Sequence, residues 1–134
     1  MLWMILIFVL SAQTAPESAE LSGGLLDKIL NIFNKKLSDY DVFIIDFMQF
    51  IIRKSAHTFL YIVLSILVLV ELSLFNVKRE IIFTSIISVL YAISDEIHQY
   101  FVPGRSGEIR DVIVDTIGVV IGIIIVKIVR KMYK

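Results

Sequence analysis

Three stretches of this chain, residues 55–75, 81–101 and 111–129, are each long and apolar enough to cross a bilayer. A membrane helix needs about 20 mostly apolar residues, and only structures that satisfy every backbone polar group internally survive in lipid. A fourth, shorter run covers residues 1–10, and residues 1–16 carry no charged side chain. Of the 134 residues, 57% are hydrophobic, against about 45–50% in soluble domains, and the surplus sits in these runs. The expected fold is all-α: a polytopic membrane bundle of about four transmembrane helices plus an interfacial helix. Its spans are placed at about 1–14, 55–75, 81–101 and 111–129 within a single domain, 1–134. Thirteen basic and thirteen acidic residues cancel, so charge gives no reason to expect nucleic acid as a partner. The chain has no cysteine, which excludes disulfides and thiolate metal sites.

The connecting segments refine this picture. The first run lacks the basic n-region and the A-x-A-like site of a cleaved signal peptide. It is expected to be a short first span that thins the membrane or uses residues 11–14 to reach the interface. Ser22-Gly23-Gly24 predicts a break. After it Leu26, Ile29, Leu30, Phe33 and Leu37 recur at helical spacing opposite Asp27, Lys28, Asn31, Asn34 and Lys35. That pattern suits a helix lying in the interface, or one packed on the bundle. Residues 41–75 contain no proline or glycine. As one helix they would run about 52 Å, longer than a hydrocarbon core of about 30 Å. The first third is therefore expected to tilt, lie flat or break near Arg53. Residues 76–80 form a polar turn, and Pro103-Gly104-Arg105-Ser106-Gly107 is a turn by composition. Trp3 and Tyr133 look like interface anchors. Lys78, Arg79, Lys127, Arg130, Lys131 and Lys134 collect at one side. The expected location is a bacterial cytoplasmic (inner) membrane, crossed several times, with both termini in the cytoplasm. Residues 13–54 and 102–110 then face outward.

With alternating spans, the start of the second helix, the end of the third and the start of the fourth share one membrane face. Those places carry Arg53, Lys54 and His57; Asp95, Glu96, His98 and Gln99; then Arg105, Arg110, Asp111 and Asp115. At about 100° per residue, Asp111, Asp115, Gly118 and Gly122 fall on one narrow stripe. Gly118 and Gly122 form a G-x-x-x-G pair that lets a neighbouring helix approach closely, so the two carboxylates point into the bundle. Ser88, Tyr91, Asp95 and Gln99 share a second stripe flanked by Glu96, and Lys54, His57 and Tyr61 occupy one arc. Ionisable groups at membrane depth are costly, so pairing of Lys54 or Arg105 with Glu96, Asp111 or Asp115 is expected. A salt-bridge lock explains a few such charges but less easily this many. His57, Glu96 and Asp111 include metal-ligand types, yet no two-histidine helical spacing supports a site. No metal and no cofactor is expected.

Arg53-Lys54-Ser-Ala-His57-x-x-x-Tyr61, then Asp95-Glu96-Ile-His98-Gln99-x-Phe101-Val-Pro103-Gly104-Arg105-Ser106, then Asp111-x-x-x-Asp115-x-x-Gly118-x-x-x-Gly122 resemble the VanZ-like family. Ser11-Ala12-Gln13 after a short apolar run resembles that family's first helix exit. One departure is Asp115, where many members carry asparagine. The resemblance implies a four-helix integral membrane protein, and the family's named member is associated with low-level resistance to the lipidated glycopeptide teicoplanin. Carried over by position, the motif residues are Lys54, His57, Glu96, Gln99, Arg105, Asp111, Asp115, Gly118 and Gly122.

The expected ligand-binding residues are Arg53, Lys54, His57, Asp95, Glu96, Gln99, Arg105, Asp111 and Asp115, with Gly118 and Gly122 for helix packing. The expected partners are membrane lipid and a lipid-linked cell-wall precursor or glycopeptide antibiotic. The leading expectation is a protein that binds or modulates such a component. Arg53, Lys54 and Arg105 would hold an anionic head group or antibiotic carboxylate, Arg105 bidentately from a glycine-flanked loop. The alternative is a membrane-interface hydrolase or transferase on a lipid-linked precursor. His57, Glu96 and Asp111 are then the catalytic candidates, and Lys54 and Arg105 stabilise developing charge. No nucleophile elbow, HExxH or phosphate-loop motif is present, so catalysis ranks second. A proton or ion relay through Asp95, Asp115 and His57 ranks last, because the mid-membrane stretches are apolar.

Overall fold

The computed structural model describes residues 2–105 and 107–133. Met1, Ser106 and Lys134, on which parts of the first-span, turn and basic-end readings fall, lie outside the described residues. Among the described residues five α-helices occur in chain order: α1 Leu2–Ser11, α2 Ala15–Ile32, α3 Val42–Leu74, α4 Glu80–Tyr100 and α5 Ile109–Met132. No strand occurs among the described residues, as expected for an all-α bundle. Each of α3, α4 and α5 is long and apolar enough to cross a membrane alone, whereas α1 and α2 qualify only together, as a pair bent by 104°.

The bend has a local cause. Thr14 is extended (φ −63°, ψ 162°), and its N–H and hydroxyl both donate to Glu17 Oε2 at 2.8 Å. Glu17 thereby caps a new helix start, with Pro16 in the first turn, where a missing N–H costs nothing. Residues 12–14 therefore do not extend α1, which at about 15 Å covers half a hydrocarbon core.

One expectation is corrected and two are sharpened. Ser22-Gly23-Gly24 does not break the chain; α2 runs through it. Gly23 faces α3, where an added Cβ would stand 3.2 Å from Gln49 Nε2, so close helix contact offsets the poor helix propensity of glycine. The helix consequently ends at Ile32, and Leu37 belongs to a separate 3-10 turn, Leu37–Asp39. Second, of the alternatives for the first third of α3 the break near Arg53 does not occur: the helix is continuous for 33 residues, about 50 Å, as the tilted alternative requires. Its first third lies beside α2, and the Arg53 guanidinium donates to Ser22 Oγ at 3.1 Å. Third, Trp3 is half-buried and donates its indole N–H to the Leu60 carbonyl at 2.9 Å. It therefore packs on the bundle core as well. Tyr133 is exposed at the chain end.

Helix α3 is the centre of the bundle, packed on α5, α4 and α2. The core is small, built on Ile7, Tyr61, Leu64, Leu69, Ala92 and Val119. Far more large apolar side chains point outward, among them Phe59, Leu67, Leu90, Ile97, Ile117 and Ile128, which is the distribution of a lipid-bathed bundle. The α3–α5 seam is as close as the G-x-x-x-G spacing predicts. A Cβ on Gly118 would press on the Thr58 carbonyl and stand 3.3 Å from Tyr61 Cβ, and one on Gly122 would press on the Ile62 carbonyl and Ser65 Oγ. At the end remote from the polar cluster, Arg130 of α5 pairs with Glu80 of α4 and meets the Ser73 hydroxyl of α3. No local pattern points to this knot, because its three members are joined only by tertiary packing.

Candidate functional site

The first turns after Arg53 in α3, the last turns of α4 and the start of α5 come together at one end of the bundle, as their spacing implies. Lys54 and Asp111 form the expected ion pair, with the Lys54 ammonium 5.3 Å from the Phe50 ring centroid. On α4, Asp95, Glu96 and Gln99 are buried; on α5, Asp115 is 1% exposed. These depths are those of the predicted helical stripes.

Helix α1 closes the site from a side the sequence reading left out. The Ser11 hydroxyl donates to Asp95 Oδ2 at 2.8 Å, and the Gln99 amide donates to the same oxygen at 3.1 Å. Arg105 donates to the Ser11 carbonyl at 3.1 Å, a cation at a helix C-terminus where the helix dipole favours one. Gly104 makes this reach possible. Its φ of +77° is readily adopted only by glycine, and a Cβ there would stand 3.1 Å from Ala15 Cβ. The loop therefore folds tightly over the start of α2 and turns Arg105 inward. Burial pulls the Arg105 pKa below its ordinary value, opposed by Glu96 and Asp95; the group remains charged at any working pH.

These elements enclose an open cavity of about 420 Å³. Arg53, Lys54, His57, Gln99, Arg105, Asp111 and Asp115 line it, with Ser18 and Glu108. A crevice of about 160 Å³ between α2 and α3 adjoins it. Leu10, Leu21, Leu25, Ile52 and Leu60 make its walls apolar, and it shares Ser18, Arg53, His57 and Arg105 with the cavity.

Three of the residues read at this membrane face sit elsewhere. Glu96 lines a separate apolar groove between α4 and α5 with Tyr100, Phe101 and Val112, and its Oε2 accepts the Glu108 N–H at 3.1 Å. Arg110 points outward, 3.3 Å from Glu108. His98 stacks on Phe8, ring centroids 4.2 Å apart. The ligand-type atoms that do converge are a His57 nitrogen and one oxygen each of Asp95 and Asp115, all within 4.8 Å of one another. That grouping replaces the His57, Glu96 and Asp111 set weighed from the sequence.

The sequence model of the VanZ/LLP1 family matches residues 1–130 of the 134-residue chain. The chain belongs to the VanZ/LLP1 family. No curated protein and no solved structure matches it. VanZ membership makes this a VanZ-like membrane protein of a family linked to glycopeptide resistance. The VanZ motif positions cited from the sequence, Lys54, His57, Gln99, Arg105, Asp111 and Asp115, line the cavity. Gly118 and Gly122 form the seam beneath it. Ser11 was not among the predicted site residues; its only sequence signal was its place at the exit of the first apolar run.

Proposed function

We propose that the protein binds the anionic head group of a lipid-linked cell-envelope component in this cavity, with part of its acyl chain in the adjoining crevice. Glycopeptide tolerance would follow from engaging that component, or from engaging the lipidated antibiotic itself at the same place. The observation that carries the reading is the shared wall: a polar, arginine-bearing cavity and an apolar crevice meet at Arg53, His57 and Arg105. An amphiphile presents the same pairing of charged head and apolar tail. Arg53 and Arg105 each spend one donor on a neutral protein oxygen, which leaves other guanidinium N–H groups for a phosphate or carboxylate.

The test is native mass spectrometry of lipid co-purified with the protein from bacterial membranes, alongside a teicoplanin-tolerance assay. Arg105→Ala should lose most of the bound anionic lipid and the tolerance while the protein still accumulates. Full retention of both in that variant would overturn the proposal.

Catalysis on the same component is a second reading, favoured by one observation. His57 opens on the cavity and lies beside the buried carboxylates of Asp95 and Asp115, the arrangement of a base oriented by an acid. Lys54 and Arg105 would then stabilise developing negative charge. A mass change in a lipid-linked precursor incubated with the protein, absent with His57→Gln, is the expected result. An unchanged precursor mass removes this reading and leaves binding.

A further inference from the structure

We propose that His57, Asp95 and Asp115 form a site for one first-row divalent cation at the floor of the cavity. The site itself does not depend on the binding reading above; only its use for a head group would. Each of α3, α4 and α5 supplies one ligand, and the three donor atoms lie within 4.8 Å of one another. Ligands at about 2.0–2.2 Å from a tetrahedral Zn²⁺ stand about 3.4 Å apart, so small side-chain rotations close the set.

Two further observations point to an ion. Asp95 Oδ1 and Asp115 Oδ2 are buried with no hydrogen-bond partner among the described residues, although Asp95 is 3% and Asp115 1% exposed. Buried acceptors are seldom left unmatched. Among the described residues neither carboxylate has an ion-pair partner: Lys54 pairs with Asp111, and the bonds of Arg105 and Arg53 go to the Ser11 carbonyl and the Ser22 hydroxyl. Two carboxylates in a low-dielectric site without a paired cation are costly, and a dication removes that cost. Asp95 is also oriented as metal ligands usually are. Its other oxygen is held by Ser11 and Gln99, the outer-shell support that fixes a ligating carboxylate.

One imidazole and two carboxylates suit Zn²⁺ or Mn²⁺ better than the oxygen-only preference of Mg²⁺ or Ca²⁺. Three protein ligands leave a coordination position open. With His57 and Asp115 lining the cavity, that position would face it, where an anionic oxygen of a bound molecule would add a ligand.

The experiment uses full-length protein purified in detergent with a tag that contains no histidine. Metal content is measured by mass spectrometry, then Zn²⁺ and Mn²⁺ are titrated calorimetrically into chelator-stripped protein. One equivalent per chain is expected, with affinity at least tenfold weaker in Asp115→Asn and in Asp95→Asn. Thermal melts check that each variant is folded, and two ligand positions are tested so that one failed fold does not decide the matter. The titration is run without added lipid, so its outcome is read independently of the lipid loss in Arg105→Ala that tests the head-group reading. No stoichiometric ion in the parent protein, or unchanged affinity in both aspartate variants, would overturn it.

Discussion

At Lys54 and Asp111 the partners are each only partly exposed, 27% and 18% by side chain, so neither charge is fully hydrated when its partner is removed. Asp111→Asn should destabilise the bundle by about 1–3 kcal/mol, below the 3–5 kcal/mol of a fully buried broken pair because solvent screens part of it. Lys54→Met with Asp111→Leu should recover most of that loss while leaving the cavity without its pair. Denaturant unfolding in detergent micelles of the single and double variants measures the coupling. A double variant no more stable than Asp111→Asn would show that the pair is not what holds α3 to α5 there. The sequence revealed these residues because a helical stripe is local information. Asp111, Asp115, Gly118 and Gly122 share a face whatever surrounds them. It did not reveal Ser11 as a partner of Asp95, since 84 residues separate them in the chain and only tertiary packing joins them. The choice between Asp95 and Glu96 was hidden for a related reason. Adjacent residues on α4 face about 100° apart, and the roll of α4 against its neighbours decides which one joins His57.

At the scale of the elements, the two kinds of glycine in this chain should behave in opposite ways. Gly122 lies on the α3–α5 seam with the Ile62 carbonyl and Ser65 hydroxyl where a Cβ would go. Gly122→Ala must push backbone apart and should cost about 1–3 kcal/mol. Gly24 sits inside α2 with nothing within 4 Å of an added Cβ, so Gly24→Ala should stabilise by up to about 1 kcal/mol through helix propensity. Thermal melts of the purified variants decide both; a Gly122→Ala melt equal to the parent's would show that the seam has slack. The same contrast explains why element boundaries were only partly legible. Helices α4 and α5 begin and end within a few residues of their apolar runs. The extent of α2 could not be read from Ser22-Gly23-Gly24, because whether a glycine breaks a helix or admits a neighbour depends on whether Gln49 lies across from it. The length of α3 was visible, but its continuity past Arg53 is secured by the α2 flank, through Arg53 and Ser22.

For the whole molecule, the question left by the fold is which side the cavity faces; direct engagement of a glycopeptide requires the outside, whereas binding of a lipid-linked precursor does not. Basic-residue bias is a weak guide here for a reason the structure supplies. Arg53, Lys54 and Arg105 at the cavity end are held in internal contacts, and Arg130 at the other end is locked to Glu80. Such residues answer to packing as much as to topology. Among the described residues the exposed basic side chains are Lys78, Arg79, Lys127 and Lys131 toward the remote end and Lys28, Lys35, Lys36 and Arg110 in the segments on the cavity side, so exposed charge is balanced and labelling has to decide. Because the chain has no cysteine, single introduced thiols report sidedness without background. Lys36→Cys, in the exposed segment between α2 and α3, should react with a membrane-impermeant maleimide on intact cells. Lys131→Cys, at the end of α5, should react only after lysis. The reverse pattern would place the cavity in the cytoplasm. Arg53 and Arg105 would then meet lipid-linked precursors before their export, and a glycopeptide, too polar to reach them, would be excluded as the ligand.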